Sequence, residues 1–388
     1  MGKWVKKKLG EIGDIITGST PTTSKLDYWN GDYNFYSPAD FTDNIYCDKT
    51  ERTVTIEGLN VGRCIPENSI MVACIASIGK IAINKTKGIT NQQINSIIPF
   101  DEFNYLFLYY LLLHKSSVIK NGAAQTTIPI INKEDFSNLE VTIPSSLSEQ
   151  RRIASILSSA DKVIDSTQKL IAKYKQIKQG MMEDLLKPKE GWKKVKLGEC
   201  CEKITDGSHE SPVAVLEGYY MPSVKDMSYS SFNFSNCKQI SESDYLKLKG
   251  LGCKPEIGDV LIAKDGSILK YCFVMEDDLP IVILSSIAIL KPNKQIMDSN
   301  FLSFYFQKRD VVIDVVENYK SGTGVPRIVL KNFEQIEITY PISLIEQRRI
   351  ASILSSIDKK IESEEKVLYK YKDIKKGLME KLLKEEEV

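Results

Sequence analysis

Histidine is nearly absent from this chain of 388 residues: only His114 and His209 occur. The eight cysteines never form Cys-x-x-Cys, so a structural zinc site is not expected. Two histidines lying far apart also leave little for His-dependent acid–base catalysis. There is no Gly-x-Gly-x-x-Gly and no Gly-x-x-x-x-Gly-Lys-Ser/Thr, hence no phosphate-cradling loop. The Asn/Asp-Pro-Pro-aromatic sequence that holds a target amine in amino-methyltransferases is missing too. Glu364–Lys366 reads as a solvated helix face. No catalytic residue and no metal ligand is therefore assigned.

Long apolar runs are lacking as well. The longest, Tyr105–Leu113, is too short to span a bilayer, and no apolar stretch follows the basic start at Lys3–Lys8. The expectation is a soluble, cytoplasmic chain with no membrane partner and with reduced, buried thiols such as Cys74. Net charge is also missing: Lys+Arg 52 faces Asp+Glu 51. That balance excludes a polybasic mode of nucleic-acid binding but allows local patches.

What the chain does contain is a duplication. Ser146–Lys187 and Ser343–Lys384 lie 197 residues apart and agree at 29 of 42 positions. Each starts with Ser-x-x-Glu (Ser146 to Glu149, Ser343 to Glu346) shortly after a proline, the pattern of a capping box. Apolar or small residues follow at alternating spacings of four and three. In the first copy these are Ile153, Leu157, Ala160, Ile164, Thr167, Ile171 and Tyr174, then Met181 and Leu185. The second copy has Ile350, Leu354, Ile357, Ile361, Leu368 and Tyr371, then Leu378 and Leu382, with Lys178 and Lys375 interrupting the two series. This heptad pattern predicts a coiled coil whose helices pair through Ile153, Leu157, Ile164, Ile171, Tyr174, Ile350, Leu354, Ile361, Leu368 and Tyr371. About 38 residues of helix make a rod of roughly 57 Å. Two equal rods in one chain most simply pair antiparallel, with the intervening module bridging them. A second apolar line, Ile156, Val163, Leu170 and Ile177, is available to a partner. The plainer alternative is a mere spacer.

The rest of the chain repeats more weakly. Trp4 to Glu11 resembles Trp192 to Glu199, and Ile128-Pro129 resembles Val325-Pro326. The order is thus module 1–145, helix 146–190, module 191–344, helix 345–388, a pseudo-circular arrangement. The modules carry 14 Lys+Arg with 15 Asp+Glu and 18 with 20, so neither is basic. Each reads as α+β. Strands are expected at Ser69–Ile75, Lys80–Asn84, Gln93–Ile98, Gly258–Ala263, Tyr271–Met275 and Ile281–Leu290. Helices are expected at Phe103–Lys120 and Asn300–Tyr319, and a last strand (Leu139–Ile143, Ile336–Tyr340) leads into each rod. The fold class is therefore α+β: two pseudo-repeated globular domains separated by a long antiparallel two-helix coiled coil.

Polar loops with interleaved aromatics are the candidate binding features. They comprise Thr22, Thr23, Ser24 and Tyr28 in the first module and Ser208 and His209 in the second. Gln92, Gln93 and Gln125 have the side chain that reads adenine, while Arg327 and the turn lysines Lys80, Lys225, Lys264 and Lys270 suit guanine or phosphate. Thr323 lies in a Gly-Thr-Gly turn. Each is equally explained as ordinary turn chemistry.

Taken together, the chain resembles the specificity subunit of type I restriction–modification systems. The resemblance rests on Pro144 with Glu149–Ala154, on its second copy at Pro341 with Glu346–Ala351, and on the Trp-x-x-x-x-Leu-Gly-Glu opening of both halves. The loops Gly18–Pro21 and Asp206–His209 are similar to that family as well. The resemblance implies two target recognition domains, each reading one half of a bipartite site on double-stranded DNA. It also implies two methyltransferase subunits docked on the paired helices, with restriction subunits joining the full complex. S-adenosylmethionine, ATP and Mg²⁺ would belong to those partners, and no cofactor to this chain. One DNA turn of roughly 34–36 Å would suit the rod length. The alternatives are a stand-alone DNA-binding or scaffold protein built from the same modules, or an enzyme with an unfamiliar site.

Overall fold

The structure is a computed structural model and describes residues 3–116, 130–322 and 324–384. The chain divides into two compact units, Met1–Gln168 with Lys366–Val388, and Lys169–Glu365. The expected segment boundaries cut across these units, because each long helix contributes to both. The helices are Leu147–Leu185 and Leu344–Leu382, 39 residues each.

In the first unit a five-stranded sheet has the order Gly13–Thr17, Ile94–Pro99, Ile70–Ala73, Ile81–Asn84, Tyr46–Cys47. A four-stranded sheet follows the order Arg52–Val54, Trp29–Tyr36, Gly88–Thr90, Cys64–Ile65. The central strand Ile70–Ala73 is apolar at every position because both of its faces are covered. Ile70 and Val72 join the core that contains Phe107 and Leu111, while Met71 and Ala73 join Tyr36 and Ile94. The second unit repeats this: Val260 and Ile262 face Phe301 and Phe306, and Leu261 and Ala263 face Phe273 and Ile283. Its sheet runs Cys201–Asp206, Ile287–Pro292, Val260–Ala263, Cys272–Val274.

Each module opens and closes on one antiparallel pair. Trp4–Lys8 lies against Glu140–Pro144, and Trp192–Lys196 against Glu337–Pro341, with each tryptophan opposite a proline. The strand therefore hands the chain to the long helix at a fixed point. A buried glutamine locks that junction. Gln150 donates from its amide to Pro144 O at 3.0 Å and accepts from Asn104 N at 2.9 Å. Gln347 donates to Pro341 O at 2.8 Å and Ile296 O at 2.9 Å, and accepts from Asp298 N at 2.8 Å. These contacts explain the glutamine of the repeated Pro…Glu-Gln sequence, since every partner is a backbone group that would otherwise be unpaired.

The long helices run antiparallel within each unit. In the first, Leu157 shares a core with Leu383, and Lys375 Nζ meets Asp161 Oδ1 at 2.6 Å. In the second, Lys175 pairs with Glu365 at 2.7 Å and Lys178 with Asp358 at 2.8 Å, while Met182 and Leu186 pack with Ile350 and Leu354. Ile153, Leu157, Ile164, Ile171, Ile350, Leu354 and Ile361 are buried as expected. Leu368 and Tyr174 are half-buried. Tyr371 departs from the expectation, being 37% exposed. Likewise Met182, Leu186 and Leu383, not Met181, Leu185 and Leu382, are the deepest side chains at the distal ends. A helix of 3.6 residues per turn drifts by about 20° per heptad from a strict seven-residue repeat, so the buried line moves along the sequence and rotates Tyr371 out.

Four further expectations are corrected. At Ser146 the hydroxyl meets Ser148 Oγ at 2.6 Å, and Glu149 turns to Arg152, forming bonds of 2.8 and 2.7 Å. A bidentate guanidinium is a stronger partner for a carboxylate than the capping-box N–H. The run Ile281–Leu290 is strand only from Ile287. Asn300–Tyr319 is two helices, Ser299–Gln307 and Arg309–Tyr319, separated at Lys308 with ψ 131°. The described helix after Phe103 is Tyr105–His114, begun by the Asn104 cap; residues 117–120 lie outside the described residues.

Candidate nucleic-acid interface

At the end of each main sheet, the same backbone frame gathers three loops. In the first unit Gly18 N donates to Ile94 O at 3.0 Å and Ser19 N to Thr90 O at 2.8 Å. Cys74 N donates to Gln93 O at 2.8 Å, and Ile131 N to Cys74 O at 3.0 Å. In the second unit Gly207 N donates to Ile287 O at 3.3 Å and Ser208 N to Ile283 O at 2.7 Å. Lys264 N donates to Ser286 O and Ile328 N to Lys264 O, both at 3.0 Å. Gly18 and Gly207 are required by this approach, because a Cβ would collide with the carbonyl oxygens of Thr90 and Asn91, or of Ile283.

The turn at Ile75–Lys80 superposes in pattern on Asp265–Lys270. Left-handed backbone occurs at Ala76 (φ 59°) and Gly79 (φ 83°), and at Gly266 (φ 69°) and Leu269 (φ 54°). Ser77 N bonds Ile75 O and Lys80 N bonds Ser77 O, as Ser267 N bonds Asp265 O and Lys270 N bonds Ser267 O. The frame is thus shared, while its side chains differ: where the first unit has a buried Cys74, the second has Lys264.

The expected residues distribute unevenly over this surface. Thr22, Thr23 and Ser24 are exposed, and the carbonyl of Thr22 accepts from Trp29 Nε1 at 3.2 Å. Half-buried Tyr28 accepts from Lys25 Nζ at 2.9 Å. Exposed Gln92 accepts from Thr20 Oγ1 at 2.6 Å, and Gln93 from Asn91 Nδ2 at 3.1 Å, so both are partly committed to the loop. Lys80, Lys225, Lys270, His209 and Arg327 are exposed. Lys270 Nζ lies 5.1 Å from the Tyr271 ring centroid, and hydrogen bonding to Tyr271 holds its ammonium above the ordinary lysine range. His209 Nε2 is 3.4 Å from Asp206 Oδ1. Gln125 and Thr323 lie outside the described residues.

Two expectations fail on burial. Lys264 is 6% exposed, and its ammonium sits 3.4 Å from Asp206 Oδ2 and 3.2 Å from Asp265 Oδ1. It neutralises a buried carboxylate and is not an accessible phosphate contact. Ser208 is buried too; its hydroxyl donates to Glu210 O at 2.8 Å and accepts from Glu210 N at 3.0 Å, a turn role.

One residue of the surface was not anticipated. Arg63 donates through its backbone N to Ser19 Oγ and through Nη1 to Thr17 O, each at 3.0 Å. It lies in the short connection between the helix Ile56–Val61 and the strand Cys64–Ile65, with no motif around it. Only its scarcity could have marked it, since Arg52 and Arg63 are the sole arginines before residue 146.

Known proteins match the chain over all or part of its length. A type I restriction enzyme MjaIX specificity subunit of Methanocaldococcus jannaschii is 26% identical, over 98% of this chain and 92% of that one. The HindI specificity subunit of Haemophilus influenzae is 35% identical over 37% of this chain and 32% of its own length. The crystal structure of a type I restriction–modification S subunit from M. genitalium aligns with a TM-score of 0.65 at 18% identity, covering 100% of this chain and 97% of that one, a likeness of fold. Residues 1–176 and 189–370 each match the type I restriction modification DNA specificity domain, and with two copies spanning most of its length the chain belongs to that family.

Proposed function

We propose that the chain is the sequence-reading subunit of a type I restriction–modification complex, in which each unit reads one half of a two-part DNA target. Family membership supports the DNA-specificity role. The observation that carries the division of labour is the shared loop frame with unlike side chains, Cys74 against Lys264 and Ala76 against Gly266. Two readers built alike but lined differently suit two different half-sites.

The near-identical helices are the complement of that divergence. The exposed Ile177 of the flanking line and its counterpart Ile374 in the second helix suit partners that dock twice on the same sequence. We assign these partners as two methyltransferase subunits, with restriction subunits joining the complex. The methyl donor S-adenosylmethionine, ATP and Mg²⁺ are assigned to the partners, and methyl transfer to adenine with them. With a balanced charge on this chain, much of the phosphate neutralisation falls to those partners, so the isolated subunit binds DNA weakly at physiological salt.

The experiment is a map of methylated adenines by long-read sequencing, in the source genome with and without this gene. The expected result is one two-part motif that vanishes with the gene. A genome whose adenine methylation is unchanged by the deletion contradicts the proposal. Purified alone, the chain is expected to transfer no methyl group and cut no DNA.

A further inference from the structure

We propose that Arg63 is a base-reading residue of the first unit, directed at a guanine in one half-site only; this rests on the DNA-reading function proposed above. Arg63 is exposed at the rim of the loop cluster, yet it is not free to swing. Its backbone is tied to Ser19 and one terminal nitrogen to the carbonyl of Thr17. Both anchors flank Gly18, whose contact with Thr90 and Asn91 fixes the loop itself. Among the described residues no carboxylate pairs with Arg63, so its remaining N–H groups are unspent.

A phosphate contact needs charge and little orientation, and a lysine meets that need. Residues 1–145 hold twelve lysines against two arginines. A planar fork held in one orientation is what bidentate recognition of guanine O6 and N7 requires. The other arginine, Arg52, is stacked on Trp29 at 3.7 Å from the ring centroid and lies 5.6 Å from that of Phe35. The second unit has no arginine at the matching position. Its matching connection, between the helix Glu242–Gly250 and Cys253, carries Gly252 with φ 82°. A planar, tied guanidinium on one copy of a shared frame, and on the other a glycine with the Lys203 ammonium beside it, is the pattern of unlike determinants for two half-targets.

The test uses the full chain co-expressed with its methyltransferase subunits, as wild type, Arg63→Lys and Arg63→Ala, followed by mapping of methylated adenines. Wild type is expected to show a guanine at a fixed position in the half read by the first unit. With Arg63→Lys the preference for that guanine falls about tenfold or more, and every other position keeps its preference. Arg63→Ala relaxes the same position. Unchanged preferences in both variants, or a loss spread uniformly over all positions and both halves, would overturn the assignment. If wild type yields no two-part motif, the failure lies with the proposed function instead, so the two outcomes are distinguishable.

Discussion

Lys375 Nζ lies 2.6 Å from Asp161 Oδ1, and the counterparts of these two residues 197 positions away, Lys178 and Asp358, meet at 2.8 Å. Each lysine also stands over an aromatic ring, Tyr110 at 5.7 Å and Phe304 at 5.3 Å. The polar interruption of the heptad series is thus a paired, largely covered charge that sets the register of the antiparallel helices in each unit. Asp161 is further held by Tyr110, whose hydroxyl donates to it at 2.7 Å.

Removing either lysine leaves an acid in a half-closed site. Lys375→Met or Lys178→Met is expected to cost about 1–3 kcal/mol, less than the loss of a fully buried pair. By contrast, Lys175 and Glu365 are both about half exposed, and Glu365→Ala should change stability by under about 1 kcal/mol. Thermal melting of the three variants checks this ranking; equal shifts for all three would contradict it.

Gln347 is buried and bonds three backbone groups, so Gln347→Ala strands two carbonyls and an N–H. The expected cost is about 2–4 kcal/mol, and Gln150→Ala, with two bonds, should cost less. Gln347→Glu should be worse than alanine, because it sets a carboxylate against two carbonyl oxygens. Urea denaturation measures all three, and a neutral Gln347→Ala would remove the junction lock from the account.

How far the sequence discloses this arrangement follows from range. Helix length, the buried line from Ile153 to Ile171 and the paired modules are local or repeated signals and were legible. Lys178 and Lys375 were visible as interruptions, but their partners depend on the antiparallel register. Gln150 was visible as part of a repeated motif, yet its role depends on Asn104, 46 residues away. Lys264 reads as a turn lysine until Asp206, 58 residues earlier, is brought beneath it. Ile281–Leu290 has strand composition, but Ser285 N bonds Ser208 O and Ser286 Oγ accepts from Val224 N, which turns the first half into the loop cluster. Arg63 lies in no motif, and only the scarcity of arginine before residue 146 marks it.

The turn frame predicts a gain of stability. Ala76 and Leu269 occupy left-handed backbone that the other unit fills with glycine at the same step. Ala76→Gly and Leu269→Gly each relieve roughly 1 kcal/mol of backbone strain. Leu269 is 3% exposed, so its change also loses buried area and the net effect is destabilising. Ala76→Gly, on an exposed residue, should raise the melting temperature; a fall would contradict the strain.

Alkaline pH should weaken the fold through its thiols. Burial pushes Cys272 and Cys201 up to about 12 and Cys74 up to about 11, from an ordinary value of 9.0. Raised acid pKa values mean that folding favours the neutral thiol. Their contribution is therefore complete below about pH 9 and is lost as pH rises toward 11–12. Unfolding midpoints at pH 8, 9, 10 and 11 should fall, and Cys272→Ala should flatten part of that fall. A midpoint rising with pH over this range would contradict the burial of these thiols. At pH 8 the native chain should react with thiol reagents far more slowly than the unfolded chain.

The central claim is that two separable readers share one frame, and a module exchange tests it most directly. Residues 191–344 are replaced by the corresponding module of another family member, the chain is co-expressed with its methyltransferase subunits, and methylated adenines are mapped. The expected motif has one half changed and the other retained base for base. A motif altered in both halves, or altered in neither, would contradict it.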